Sequence, residues 1–298
     1  MLQIANAPVS WGVDFPDQPG APSWAEVLDG IRAAGYRRVE LGPYGFLPTD
    51  AGELTEELAL RGLDAAGGLI YEPVHDPTAH ERIEALTRRV AEWIAAVGGE
   101  YLIIVPMAGP ERDGWAGRAA DAPALERFEL DAQARLVDEL ARIADGQGLV
   151  PAVHPHAGTY VESLAEFEEL MSRVQSQALR LCIDTGHCLY AGMDPVRLTK
   201  DYAEIVAGFH LKDLDRARLE RALSQSFGFE AAVAADVFRP LGEGDVDFDA
   251  FAEVVAALPG RLWATVEQDV EAGKPGDPVG DAATSLAFLA EKRLAESS

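Results

Sequence analysis

Apolar residues fall into short continuous runs, each followed by a longer stretch in which they recur every three or four positions. That pattern reads as buried strands alternating with amphipathic helices. Gln3–Val9 is predicted as the first strand, and the segment from Ser23 as the first helix, its Ser-Trp-Ala-Glu opening matching a capping box through Glu26. The unit ends at Gly35. Arg37–Leu41 is the next strand, followed by a helix over Ala51–Arg61 that stops at Gly62, a usual C-terminal glycine position. Asp64–Ile70 leads into a helix over Thr78–Val97, and the β-branched run Tyr101–Pro106 into one over Pro123–Asp145 that stops at Gly146.

Leu149–His154, Leu179–Asp184 and Ile205–Leu211 are predicted as further buried strands, separated by helices over Ser163–Val174 and Pro195–Tyr202. Arg261–Glu267 is the eighth strand, with a last helix over Pro278–Ala295. Eight βα units without a Pro-, Gly- or Ser-rich linker between halves predict an α/β chain folded as a single (β/α)8 TIM barrel over 1–298. A doubly wound open sheet is the alternative. Asp213–Gly244 is too long for an ordinary βα loop and carries Phe227, Phe229 and Phe238. It is expected to be an insertion after strand seven that covers the barrel mouth, partly helical.

Composition narrows the picture. The 298 residues include 25 Lys and Arg against 50 Asp and Glu, a formal charge of −25. So acidic a chain repels phosphate backbones and anionic lipid, which argues against nucleic acid or a membrane as partner. At 48% hydrophobic and 25% charged it has the make-up of an ordinary folded protein. Cys182 and Cys188 do not fit a zinc-ribbon spacing, and the start MLQIANAPVSWGVDF lacks the basic-then-apolar layout of a secretory signal, so a cytoplasmic location is expected. Gly42-Pro43-Tyr44-Gly45 lacks the three-glycine spacing of a dinucleotide loop.

In such barrels the chemistry sits at the C-terminal ends of the strands. Here those ends read Val39-Glu40-Leu41, Val153-His154-Pro155-His156, Ile183-Asp184-Thr185-Gly186-His187, Phe209-His210-Leu211-Lys212-Asp213 and Val266-Glu267-Gln268-Asp269. Buried carboxylates and imidazoles cost free energy unless paired, hydrogen-bonded or bound to a metal. His154, Asp184, His210 and Glu267, from strands five to eight, give two nitrogen and two oxygen ligands. That mixture suits Mn²⁺ or Co²⁺ first, with Zn²⁺, Fe²⁺ or Mg²⁺ as alternatives, and not Ca²⁺; a hydrogen-bonded polar layer without metal is the competing explanation.

Beyond the four ligands, His156 and His187 are expected to touch substrate or orient a ligand, and Lys212 to hold an enolate oxygen or transfer a proton. Glu40 is expected to point into the mouth for acid–base work, Arg216 to reach a substrate hydroxyl, and Trp11 with the Tyr44/Phe46 pair to form an apolar wall against a sugar or cyclitol ring. Each has a plain structural alternative: an ion pair, a solvated loop residue or a core aromatic.

Taken together the strand ends resemble the xylose isomerase-like barrel family of sugar isomerases, epimerases and inositol-pathway enzymes, over nearly the whole chain. The family usually has Glu on strand five, Asp-Thr-x-His on strand six, His on strand seven and Glu on strand eight around one divalent metal. Asp184-Thr185-Gly186-His187, His210 and Glu267 match three of those positions, and His154 departs from the fourth. The departure is similar to the myo-inosose-2 dehydratase group in His154-Pro155-His156-Ala157-Gly158-Thr159, in His210-Leu211-Lys212-Asp213, in Glu267-Gln268-Asp269 and in the loop Phe238–Phe248. Asn6-Ala7-Pro8-Val9-Ser10-Trp11-Gly12 differs from that group's Ala-Pro-Ile-x-Trp-Thr-Asn pattern, at a place where a substrate ring would pack.

The resemblance implies a metal-dependent lyase, manganese-loaded, in inositol catabolism, dehydrating a keto-cyclitol such as 2-keto-myo-inositol, with Glu267 as ligand and Lys212, Glu40 and His156 as candidate acid and base. The alternatives are a keto-sugar isomerase or epimerase, and a barrel subunit of a heteromeric glycoside-modifying enzyme. The expected partner is a small keto-cyclitol or keto-sugar, and association into a homo-oligomer is possible.

Overall fold

Eight parallel strands pair edge to edge until the last meets the first. They are β1 (Gln3–Asn6), β2 (Arg38–Glu40), β3 (Asp64–Glu72), β4 (Tyr101–Pro106), β5 (Val150–Val153), β6 (Arg180–Asp184), β7 (Val206–Leu211) and β8 (Trp263–Val266). The order around the barrel is sequential, closed by β1 against β8 with Gln3 opposite Trp263 and Asn6 opposite Val266. The computed structural model describes residues 2–295. Helices follow the strands and cover them outside, so the strands are buried on both faces; this is why Tyr101–Pro106 carries no polar alternation.

Local signals set several elements. Ser23 caps the helix Trp24–Ala33 by the reciprocal pairing its sequence predicts: the Glu26 carboxylate accepts from Ser23 N–H at 2.8 Å, and Ser23 Oγ accepts from Glu26 N–H. The helix Ala51–Arg61 ends at Gly62 in the left-handed conformation, φ 64°. Elsewhere the boundaries move. The first strand stops at Asn6 because Pro8 opens a 3-10 turn, Pro8–Trp11. Pro77–Ala79 forms a separate turn before the helix His80–Ala96. The helix expected from Pro123 begins at Arg127, capped by Glu126 and Glu129, and runs through Gly146.

The segment after β7 is built, not loose. Asp213–Leu214 pairs antiparallel with Phe238–Arg239, and between them lie the helices Arg216–Ser224 and Phe229–Ala234. The buried Asp213 carboxylate gathers the backbone N–H groups of Leu214, Gly242, Gly244 and Val246, each at 2.9–3.0 Å, so one side chain folds the return of the chain toward the helix Phe248–Ala257. Among the described residues no helix is long and apolar enough to cross a membrane.

Candidate metal and substrate site

The strand ends set which side chains meet. His154, Lys212 and Glu267 directly follow β5, β7 and β8, and the chain past these strand ends brings His154 with His156, His210 with Lys212 and Glu267 with Asp269 into the cavity lining as pairs. Asp184 ends β6 and also caps the helix Thr185–Tyr190: its Oδ1 accepts from His187 N–H at 2.8 Å, which turns Oδ2 toward the barrel axis. Register then sets Asp184 beside His210 on β7, and His210 beside Thr265 on β8. The Thr185 hydroxyl accepts from Lys212 N–H at 2.9 Å and donates to Lys212 O at 2.6 Å, splicing the ends of β6 and β7. Gly186 is needed there because a Cβ would lie 2.6 Å from that of Lys212.

All four predicted ligands are buried and converge. His154 Nε2 lies 3.4 Å and His210 Nδ1 3.9 Å from Asp184 Oδ2, and Glu267 Oε2 lies 3.0 Å from His210 Nδ1. One donor atom from each of His154, Asp184 and His210 falls within 4.8 Å of the other two, and the same holds for Glu40, His210 and Glu267. Asp184 Oδ2 and His210 Nδ1 are buried without a hydrogen-bond partner. Orphaned polar atoms facing one another in a mixed nitrogen and oxygen set fit a divalent cation. Lys212 Nζ stands in the same space, 3.4 Å from Asp184, 3.1 Å from Glu267 and 3.1 Å from Asp269.

Burial and charge act against each other here. Burial opposes the charged forms of His210 and Lys212, yet the carboxylates around them outweigh it and hold both well above their ordinary range: Glu267 and Glu40 for His210, Asp269, Asp184 and Glu267 for Lys212. The converse keeps Asp184 well below the usual carboxylate range and Glu267 down at about 2, despite burial. For Asp269 burial outweighs the Lys212 ammonium beside it, and with Glu267 and Asp184 adding to the effect its carboxyl is pushed up to about 7. Burial, with His154 and Lys212 nearby, pushes His156 down to about 3, so it is neutral. Its Nδ1 lies 2.9 Å from Ala157 O, a pure acceptor, so Nδ1 carries the proton and Nε2 is left as the basic nitrogen.

The mouth opens into a cavity of about 460 Å³. Its floor is His154, His156, His210, Lys212, Glu267 and Asp269; Leu69, Tyr71 and Val105 form an apolar wall, and Phe229 and Val233 from the segment after β7 form a cover.

Not every predicted residue reaches this cavity. Trp11 is buried but turned outward by the Pro8–Trp11 turn, its indole against Gly30. Tyr44 meets Trp93 edge-on at 5.2 Å, and Phe46 packs on the core. Arg216 opens an exposed helix, its N–H held by Asp245, and is absent from the cavity lining. Glu40 is fully buried and lies beneath His210, bonded to its Nε2 at 3.1 Å, instead of facing the mouth. His187 sits behind Lys212, with Nε2 3.1 Å from Nζ and its ring 3.8 Å from that of His156. Sequence reading passed over Asp269, Tyr71 and Asp14 as site residues; for Asp269 the signal was present, since it stands two residues beyond Glu267.

Comparison with known proteins agrees with this fold. Residues 28–292 match the family model described as xylose isomerase-like TIM barrel. Over 273 residues the chain is 30% identical to an inosose dehydratase of Geobacillus kaustophilus, covering 90% of this chain and 87% of that one. It is 29% identical over 269 residues to the rhizopine catabolism protein MocC of Rhizobium meliloti, covering 90% and 82%. Among solved structures, a xylose isomerase-like TIM barrel protein from Mycobacterium smegmatis in complex with magnesium superposes with a TM-score of 0.73 at 17% identity, covering 98% of this chain and 96% of that one. The chain belongs to the xylose isomerase-like TIM barrel family.

Proposed function

We propose that the protein is a divalent-metal-dependent dehydratase of a keto-cyclitol such as 2-keto-myo-inositol. The observation that carries this reading is the buried set His154, Asp184, His210 and Glu267 at and just below the floor of a cavity in which Lys212, the one ammonium among the described lining residues, is held charged beside it. The names of the similar dehydratases support the choice of reaction. So does His154, at the position where the family's isomerases carry Glu.

His154, Asp184, His210 and Glu267 would hold the metal, Mn²⁺ or Co²⁺ suiting the mixed set best. When bound it supplies Lewis acidity toward a carbonyl oxygen, worth several kcal/mol of charge stabilisation. The chain's own residues do the rest. His156 Nε2, the ring nitrogen left unprotonated on the cavity floor, is the base for the proton α to the ketone; pushed down to about 3 it is a weak one, and it serves because a carbonyl held by the metal would make that proton more acidic. Lys212 gives a proton to the β-hydroxyl, which leaves as water, and Asp269 and His187 fix the position of Nζ. The enol that results carries the α-carbon's own hydroxyl and tautomerises to a diketone. Leu69, Tyr71, Val105 and Phe229 exclude water from the ring's carbon face.

The test is mass spectrometry of products after metal-loaded protein is incubated with scyllo-inosose and a panel of keto-sugars. A product lighter by one water is expected. An isomer of unchanged mass would replace dehydration by isomerisation, and no turnover of any compound would overturn the reading.

A further inference from the structure

Beneath the cavity floor lies a polar group that does not touch the cavity. Glu40 Oε2 accepts three hydrogen bonds: from Tyr101 Oη at 2.9 Å, from Thr265 Oγ1 at 2.8 Å and from His210 Nε2 at 3.1 Å. Tyr101 Oη and Thr265 Oγ1 are also 3.1 Å apart. All of these residues except His210, at 2%, are completely buried, and they come from four different strands: β2, β4, β7 and β8.

The fold spends sequence on this arrangement. A register shift between Val39 and Glu40 rotates the carboxylate into the barrel. Gly67 leaves room for the Tyr101 ring, which any Cβ there would strike, and that ring stacks on Trp263 with centroids 3.9 Å apart at 17°. Burying a carboxylate inside a barrel is unfavourable unless it is satisfied, and an apolar side chain would fill the space more cheaply.

We infer that Glu40, Tyr101 and Thr265 are positioning residues that fix the ring orientation and proton placement of His210. Because Glu40 is already engaged by two hydroxyl donors, its Oε2 is oriented to accept from His210 Nε2–H. That assigns the ring's other nitrogen, Nδ1, to the side where Asp184 and Glu267 stand. A histidine whose distal N–H is held by a carboxylate is a more basic and better oriented ligand, and loss of such a partner costs 10- to 100-fold in metal affinity. The inference rests on the metal reading above for its consequence, though not for its geometry.

The test uses the full chain with Glu40→Gln, Tyr101→Phe and Thr265→Val, the last two removing one hydroxyl each without touching His210. Two readouts are taken: the Mn²⁺ dissociation constant by equilibrium dialysis, and the ¹H–¹⁵N NMR signal of His210 Nε2–H in metal-free protein. A downfield Nε2–H signal is expected in the wild type, shifted upfield in Y101F and T265V and lost in E40Q. Mn²⁺ binding is expected to weaken roughly 10- to 100-fold in E40Q, and less in the two hydroxyl variants. Folded Y101F and T265V proteins with unchanged Nε2–H signals and unchanged Mn²⁺ affinity would overturn the inference. A wild type that binds no Mn²⁺ but shows the expected Nε2–H shifts would overturn the metal reading and leave the positioning role standing.

Discussion

The two halves of the barrel end differently. The ends of β5 to β8 carry His154, Asp184, His210 and Glu267, each reaching the cavity floor or the space beside it, whereas β1 to β4 and the turns after them contribute Ala7, Asp14, Gly42, Leu69, Tyr71 and Val105, a mostly apolar wall with one carboxylate. Of the first half's carboxylates, Asp14 lines the cavity and Glu40 passes under the floor to reach His210. The second half thus supplies reactive groups and the first shapes the space and braces them. Chemistry gathered on one side of a barrel leaves the other side free to vary with the substrate, since a wall needs only shape.

The comparison breaks most sharply at the floor. Asp184→Ala is expected to abolish metal retention, read by elemental analysis of the purified variant, because it removes the oxygen that both His154 and His210 face. Lys212→Met is expected to keep the metal and lose about 10²–10⁴-fold in turnover. Full metal content in D184A would move the site elsewhere, and metal loss in K212M would make the lysine part of the binding set.

The seam between the halves is expected to show a smaller, pH-dependent effect. Arg112, in the loop after β4, is fully buried and donates to Pro123 O, Thr159 O and Glu166, and its Nη2 lies 3.7 Å from Glu162 in the loop after β5. Glu162 also accepts from Gly117 N–H. Burial outweighs these partners and pushes the Glu162 carboxyl up to about 7. The folded state therefore keeps a proton that the unfolded chain releases near its ordinary value, so stability from this group is full below about 4.5 and declines until about pH 7. A shift of that size corresponds to roughly 3 kcal/mol as an upper figure. Urea unfolding of wild type and Glu162→Gln at pH 5 and pH 8 checks it: the variant is expected to lose less stability between the two. Equal losses would place the pH dependence elsewhere.

How far the sequence reveals this division depends on the range of the cause. Elements set by neighbours in the chain are legible: the Ser23–Glu26 box, the stop at Gly62 and the unbroken run Tyr101–Pro106. So is the second half's chemistry, because a lone His or Asp interrupts an apolar strand. What escapes is set by register or by other loops. The apolar pattern through Val9 continues past the point where Pro8 starts a turn, which carries Trp11 away from the cavity. Glu40 looks like any strand-end carboxylate until the shift at Val39 turns it under His210. The helix Phe248–Ala257, capped by Asp247, lies between the insertion and the eighth strand, where the sequence reading assigns no element. Arg216 is expected from the sequence to reach a substrate hydroxyl, but it begins a helix, and its N–H is taken by Asp245.

The smallest effect concerns the cover, where the halves meet a second time. The helix Phe229–Ala234 starts at Gly228, which has no capping side chain, and the cap is supplied across the mouth by Asp113 from the loop after β4, accepting from Phe229 N–H at 3.0 Å. At the other end Lys274, from the segment after β8, donates to Ala234 O at 2.9 Å. So short a helix does not hold itself in water, and its order depends on these two ties and on Phe229 packing against the rings of His156 and His187. Removing a cap costs about 1 kcal/mol, so Asp113→Ala is expected to speed amide exchange over 229–234 by about fivefold while the strands exchange as before. If the strands lose protection equally, the cover is part of the barrel's own cooperative unit and the wall does not stop at β4. If only the cover loosens, it is a separate piece that the apolar half holds over the reactive one.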